Sequence, residues 1–144
     1  MDKESIIKQA QRAAEKTELA YEKVFLFQFF DFQFSYDEEK RECVIECPVS
    51  EAMFNPLGTV HGGVFTYLAD TAIGHLHSRF KEDPYVSLEL KTTHMKAVTS
   101  GKLIAKAHFS KNGYNVTFAE CDIFNEEGEL VSTTSGTFYR VKKR

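Results

Sequence analysis

No apolar run in these 144 residues approaches the roughly 18 needed to span a bilayer as a helix. The N-terminus, MDKESIIKQAQRAAEKTELA, has no apolar core of the kind a secretory signal carries. Cysteines are few: Cys43, Cys47 and Cys121, with no CxxC pair. An odd count without an export signal predicts reduced thiols, no membrane partner and a cytoplasmic location. Cys43 and Cys47 sit four apart on a candidate strand, on one face but too distant to bridge. Basic excess is missing as well. The formal net charge is −3, so no global positive field favours nucleic acid. Absent too are a Gly-x-Ser-x-Gly nucleophile elbow, a phosphate-binding glycine loop, and any repeat, linker or low-complexity stretch.

What remains is one globular domain's worth of chain, 42% hydrophobic with 13 phenylalanines, enough to bury a sizeable aromatic core. Residues 2–21 place Ile6, Ile7, Ala10, Ala13, Ala14 and Leu19 near helical spacing. VFLFQFFDFQFSY then suits a strand, DEEK a turn and ECVIECPV the returning strand. Beyond residue 80 four runs alternate, YVSLELKTTHMKAV, KLIAKAHFSK, YNVTFAECDIF and ELVSTTSGTFYRV. In the first, Val86, Leu88 and Leu90 alternate with Ser87, Glu89 and Lys91. Between them stand Thr99-Ser100-Gly101, Lys111-Asn112-Gly113 and Asn125-Glu126-Glu127-Gly128, and Asn-Gly supplies the positive φ angles of a tight hairpin. Helix, two strands, long helix and four antiparallel strands make an α+β domain. We divide the chain into an N-terminal amphipathic helix, 1–22, and the domain proper, 23–144.

The most informative absence lies in the middle. Between Glu51 and Arg79 the only formally charged residue is Asp70, although the whole chain is 27% charged. Gly62-Gly63 opens a helix running to about Arg79. Val64, Phe65, Leu68, Ala69, Ala72, Ile73, Leu76 and Phe80 fill half its wheel. The other half holds Gly63, Thr66, Tyr67, Asp70, Gly74 and His77, with no Lys, Glu or Arg. Such a helix is enclosed on most sides, as by a sheet of about six strands. An enclosed carboxylate is costly unless paired or used. Pairing to Thr66, His77 or a neighbouring strand is the plainer alternative.

At the helix start, unpaired N–H groups and the positive dipole end suit developing negative charge. The glycines leave that backbone open to a ligand, as a tetrahedral oxyanion requires in acyl transfer. They could equally just ease a strand-to-helix turn. Gly63 and Asp70 are seven residues apart, nearly on one face but roughly 10 Å apart along the axis. One helix cannot easily put both on one carbonyl carbon. Two antiparallel copies can, which predicts a site shared between two chains.

Asn55, Gly58, His61-Gly62-Gly63 and Asp70, followed by VSLELKTTHMKAV and ELVSTTSGTFYRV, resemble the PaaI-like branch of the hotdog-fold acyl-CoA thioesterases over about residues 25–141. That resemblance implies a long central helix wrapped by an antiparallel sheet of about six strands, with an extra N-terminal helix outside it. It also implies homodimers with a continuous sheet, often paired as dimers of dimers, and hydrolysis of acyl-CoA to free acid and CoA with no metal or organic cofactor. Carried over to these positions, Asp70 is the general base or nucleophile. The N–H of Gly63, or of Gly62, binds the thioester oxygen. Asn55 polarises or orients that end, His61 supports the loop, and Ser87 helps position the attacking water from Asp70's own subunit. The resemblance departs in two places. Gly113-Tyr114 stands where many members have Gly-Arg against the CoA phosphates, and Ala97 stands where many have Pro. Lys91, Lys96, Lys102 and Lys111 are the alternative phosphate contacts.

The five histidines suggest no metal site. His75 and His77 are two apart on a helix and point apart. His75 falls in the apolar arc as a hydrogen-bonded core residue, and His94 and His108 read as ordinary strand residues. The expectation is an acyl-CoA thioesterase. The rivals are an acyl-CoA binder that does not hydrolyse its ligand, and a hotdog hydratase or dehydratase.

Overall fold

The computed structural model describes residues 1–142. Helix α1 spans Lys3–Lys16, capped by the Asp2 carboxylate, which accepts from the Ser5 N–H at 2.9 Å. It stops short of the expected residue 21. The Thr17 hydroxyl donates to the Ala13 carbonyl at 2.8 Å, and a turn over residues 18–23 follows, with Glu22 at φ +70°. Only Ala13 of this helix is buried.

The next segment corrects the strand expected over residues 24–36. Phe25–Phe29 form a short helix, α2, and strand β1 is confined to Gln33–Asp37. The Phe30 N–H donates to the Leu26 carbonyl, Asp31 turns the chain at φ +55°, and the Phe32 N–H returns to Phe27. That reversal stacks Phe27 on Phe32 and sets both against Phe34 and Tyr67. Aromatic packing on α3 overrides local strand preference here.

Strand β2 (Glu42–Pro48) leads through a short turn at Glu51–Met53 to α3 (Gly62–Phe80). Strands β3 (Tyr85–His94), β4 (Lys102–Lys111), β5 (Val116–Phe124) and β6 (Leu130–Arg140) follow. All pairings are antiparallel, and the six strands run in the order β1-β2-β4-β5-β6-β3. This long helix against a six-stranded sheet is the hotdog fold, with α1 added.

Register explains how closely helix and sheet approach. Cys43, Ala107, Cys121 and Thr134 stand side by side across four strands, as do Ile45, Ala105, Ile123 and Ser132. These fully buried, mostly small residues form the floor on which Leu68, Ala69, Ala72, Ile73 and Leu76 lie. The three thiols are unpaired, and burial pushes those of Cys43 and Cys47 up to about 12. They are small core residues rather than nucleophiles.

One expectation changes and another sharpens. His77 lies on Asp70's side of α3, as the wheel has it, and lines a groove with it, yet it is fully buried. Its Nδ1 donates to the Ile73 carbonyl at 2.8 Å, its Nε2 meets the Thr117 hydroxyl at 2.6 Å, and its ring stacks on Tyr85 and Phe138. Asn112-Gly113 uses no positive φ; the positive-φ glycines are Gly58, Gly101 and Gly128. Gly113 is required for another reason, since a Cβ there would stand 2.2 Å from the Val116 carbonyl oxygen. Finally, β3 is a sheet edge with an irregularity between Ser87 and Glu89, and leaves Val86 and Leu88 exposed at 47% and 63%.

Candidate active site

The structure separates the predicted residues into two groups on α3. The first surrounds its N-terminus. The His61 N–H is held by the Met53 carbonyl at 2.8 Å, which fixes the chain before the helix begins. His61 then turns its ring forward, and Nδ1 accepts from the Gly63 N–H at 2.9 Å as the helix cap. So the Gly63 donor, first in line for the oxyanion from the resemblance, is already engaged within this chain. The Val64 N–H donates to the His61 carbonyl. Among the described residues no acceptor meets the Gly62 N–H, which leaves an unspent donor at the first position of the helix. His94, at the end of β3, packs against this spot, its Nε2 being 3.0 Å from where a Gly62 Cβ would stand. Sequence spacing alone could not have placed it there.

Asn55 builds the preceding loop. Its Oδ1 accepts from the Leu57 and Thr59 N–H groups, and its Nδ2 donates to the Thr59 hydroxyl at 2.9 Å. Gly58 sits in this loop at φ +78°, where an L side chain would be strained. A cavity of about 290 Å³, lined by His61, Gly63, Met53, Phe54 and Tyr67 among others, lies beside the helix start.

The second group lies two turns on. Asp70 and Ser87 both line a groove of about 1070 Å³ over the outer face of α3. The turn over residues 18–23 forms one wall, and Pro84–Ser87 at the start of β3 the other. Asp70 is half-buried. Burial pushes its carboxyl above the ordinary carboxylate range, against the Ser87 hydroxyl, whose hydrogen bonding pulls it down. Among the described residues no Lys, Arg or His forms an ion pair with it. Gly74, one turn further, is open: a Cβ there would meet nothing within 4 Å. It lies mid-helix, where glycine costs stability, so it was visible in the sequence as an anomaly.

The expected phosphate contacts do not gather. Lys91 borders a shallow hollow on β3, β4, β5 and β6. Lys96 pairs with Glu129, Lys102 lies 3.6 Å from Glu46, and Lys111 ends β4. At the Gly113-Tyr114 hairpin two cations that sequence reading passed over converge. Lys81 donates to Asn112 and to the Gly113 carbonyl, and the Arg140 guanidinium lies 4.3 Å over the Tyr114 ring. No group of three or more metal-ligating side chains occurs among the described residues, and no described helix is long and apolar enough to cross a membrane.

Comparison with known proteins agrees with this geometry. Residues 57–132 match the family model described as the thioesterase superfamily. A 1,4-dihydroxy-2-naphthoyl-CoA hydrolase of Listeria monocytogenes is 30% identical over 108 residues, covering 74% of this chain and 88% of that one. A Haemophilus influenzae relative, 35% identical over 86 residues, is matched over 58% of this chain and 62% of its own length. Among solved structures, the BH2602 protein of Bacillus halodurans, determined with CoA, superposes with a TM-score of 0.85 at 22% identity, over 100% of this chain and 97% of its own. The PaaI protein of Escherichia coli does so at 0.77 and 18%, over 93% and 96%. With the helix, sheet and HGG-to-Asp spacing all in place, the chain has the fold of these structures and belongs to the thioesterase superfamily, a family of thioester hydrolases.

Proposed function

We propose that this chain hydrolyses acyl-CoA thioesters, with Asp70 as the reacting carboxylate and the Gly62 N–H of a second copy as the oxyanion donor. The observation that carries this reading is Asp70 itself: half-buried, without a cationic partner among the described residues, beside a hydroxyl in a groove of about 1070 Å³. A carboxylate in that setting is more basic than usual, which suits it to draw a proton from water or to attack the thioester carbon directly. Either route puts negative charge on the thioester oxygen. It is relieved by a backbone N–H at a helix N-terminus. In the first route hydroxide adds, the C–S bond breaks, and the CoA thiolate takes up the proton held by Asp70; in the second the thiolate leaves an acyl anhydride on Asp70, which water then hydrolyses to the free acid, supplying the proton. The Gly62 donor fits better than Gly63 because His61 already occupies the latter.

The second copy follows from reach. Gly62 and Asp70 are eight residues apart on one helix, about 12 Å along its axis, and the groove that Asp70 lines does not include Gly62. The unpaired edge of β3, with Val86 and Leu88 exposed, offers a surface for a partner's β3. Such pairing sets two α3 helices side by side and antiparallel. CoA as the carrier is supported by the Listeria relative's named activity and by the CoA in the BH2602 structure. Lys91 and Lys111, with Gly113 and Tyr114, remain the proposed phosphate contacts, while Lys96 is tied to Glu129.

The test is thiol release from a panel of acyl-CoA esters by wild type and by Asp70→Asn. The substitution keeps the shape and removes the base, so turnover should fall at least about a hundredfold while the variant stays folded. Near-normal turnover by Asp70→Asn would overturn the assignment. Saturable binding without thiol release in wild type would make the protein an acyl-CoA binder.

A further inference from the structure

Three hydroxyls run in series from the sheet to α3. Thr134 of β6, Thr92 of β3 and Thr66 of α3 are linked at 2.9 and 2.8 Å. Three hydrogens serve two bonds, so one is left over at an end of the chain. Thr134 is fully buried and makes no other side-chain hydrogen bond among the described residues. A spare O–H there would carry the whole cost of a buried, unpaired donor. The bonds therefore run from Thr134 to Thr92 to Thr66. The spare hydrogen belongs to Thr66, half-buried on the surface of α3, and among the described residues no acceptor meets it.

Thr66 stands midway between Gly62 and Asp70, about 40° round the helix from each. All three lie towards β3: Gly62 against His94, Thr66 against Thr92, and Asp70 against Ser87. The shared site sets Gly62 of one copy beside Asp70 of the other on antiparallel helices, so Thr66 then faces its own counterpart. Strand β3 agrees. The same pairing brings His94 opposite Ser87 of the second copy, with Thr92 close to the midpoint. Directly opposed residues on neighbouring strands share a face. The irregularity after Ser87 puts both of these on the helix side, where their β6 neighbours Phe138 and Ser132 are buried.

We propose that Thr66 lies on the two-fold axis of a dimer, where the hydroxyl chains of two copies join and fix the register that brings each Asp70 to the other's Gly62. The inference rests on the shared-site reading above and names the contact that sets it. Either Thr66 hydroxyl donates across the axis to the other's oxygen, which keeps a lone pair after accepting from its own Thr92. Slippage by one turn strands both hydroxyls, as with a lone polar residue in a helix–helix seam.

The experiment is disulfide trapping. Helices packed about 8–10 Å apart, with Cα atoms about 2.3 Å from each axis, leave facing Cα atoms about 4–5 Å apart, within disulfide reach. Thr66→Cys, oxidised with copper phenanthroline, should run as a covalent dimer on a non-reducing gel. Wild type should not, because Cys43, Cys47 and Cys121 are buried. Gly74→Cys is the control: eight residues along the same stripe, it lies about 24 Å from its own counterpart and should stay uncross-linked. Sedimentation supplies the second readout. Thr66→Val should raise the dimer's dissociation constant about tenfold or more by leaving the chains without their joint, and Thr66→Ser should restore it. No cross-link in Thr66→Cys, or equal trapping in Gly74→Cys, overturns the proposal, as does an unchanged dissociation constant in Thr66→Val. Neither readout needs turnover, so both stand apart from the hydrolase reading, which fails separately if Asp70→Asn keeps its activity.

Discussion

As the proposed base or nucleophile Asp70 would work only when ionised, yet burial favours its neutral form, and the balance between the two should be visible in the pH profile. Its raised carboxyl puts the acid limb of kcat/KM above the ordinary carboxylate range, with activity rising as pH rises through that limb. Ser87 is the one neighbour that pulls the carboxyl down. Ser87→Ala removes that pull, so the limb should move to still higher pH, with the loss of rate concentrated on the acid side. A limb that stays put or moves down would show that Ser87 does not act on Asp70. At this scale the sequence was informative about residue type and poor about atoms. Asp70 stood out because nothing else charged surrounds it. That His61 would spend the Gly63 donor, leaving Gly62, depends on a side-chain rotation that no spacing encodes.

Helix α3 was legible almost to the residue, because Gly62-Gly63 and the apolar arc mark where it begins and which side it buries. Short α2 was not, since a run of phenylalanines reads equally as a strand, and only their packing on Tyr67 and on one another selects the turn. The full burial of His77 was not legible, because a wheel carries no knowledge of Thr117, 40 residues away, whose hydroxyl makes burial tolerable. Gly74 connects helix stability to the groove. Ala at this position gains helix propensity and meets nothing within 4 Å, so Gly74→Ala should raise stability by about 0.5–1 kcal/mol, read as a higher Tm. Its methyl also enters the groove, and kcat/KM for bulky acyl esters should drop relative to acetyl-CoA. A variant that gains stability without changing that ratio would place the acyl group elsewhere.

Whether one chain or two make the site is a question for the whole molecule, and it can be separated from whether each residue matters. If Asp70 of one copy serves with Gly62 of another, each dimer holds two sites, each drawing on both chains. Asp70→Asn destroys both. Gly62→Pro destroys both by a different route, because it deletes the N–H at the first helical position. There proline's fixed φ suits the helix, and the preceding His61, at φ −61° and ψ 136°, already has the extended backbone that proline requires. Unfolding and remixing the two inactive variants forms mixed dimers in which one site inherits both defects and the other inherits neither. Random pairing makes half the dimers mixed, each with one intact site, so activity should return to about a quarter of wild type. A site built within one chain would leave every copy defective and the mixture dead. The same mixing done with Asp70→Asn and Ser87→Ala should recover nothing beyond the simple average, since those two residues share a groove in one chain.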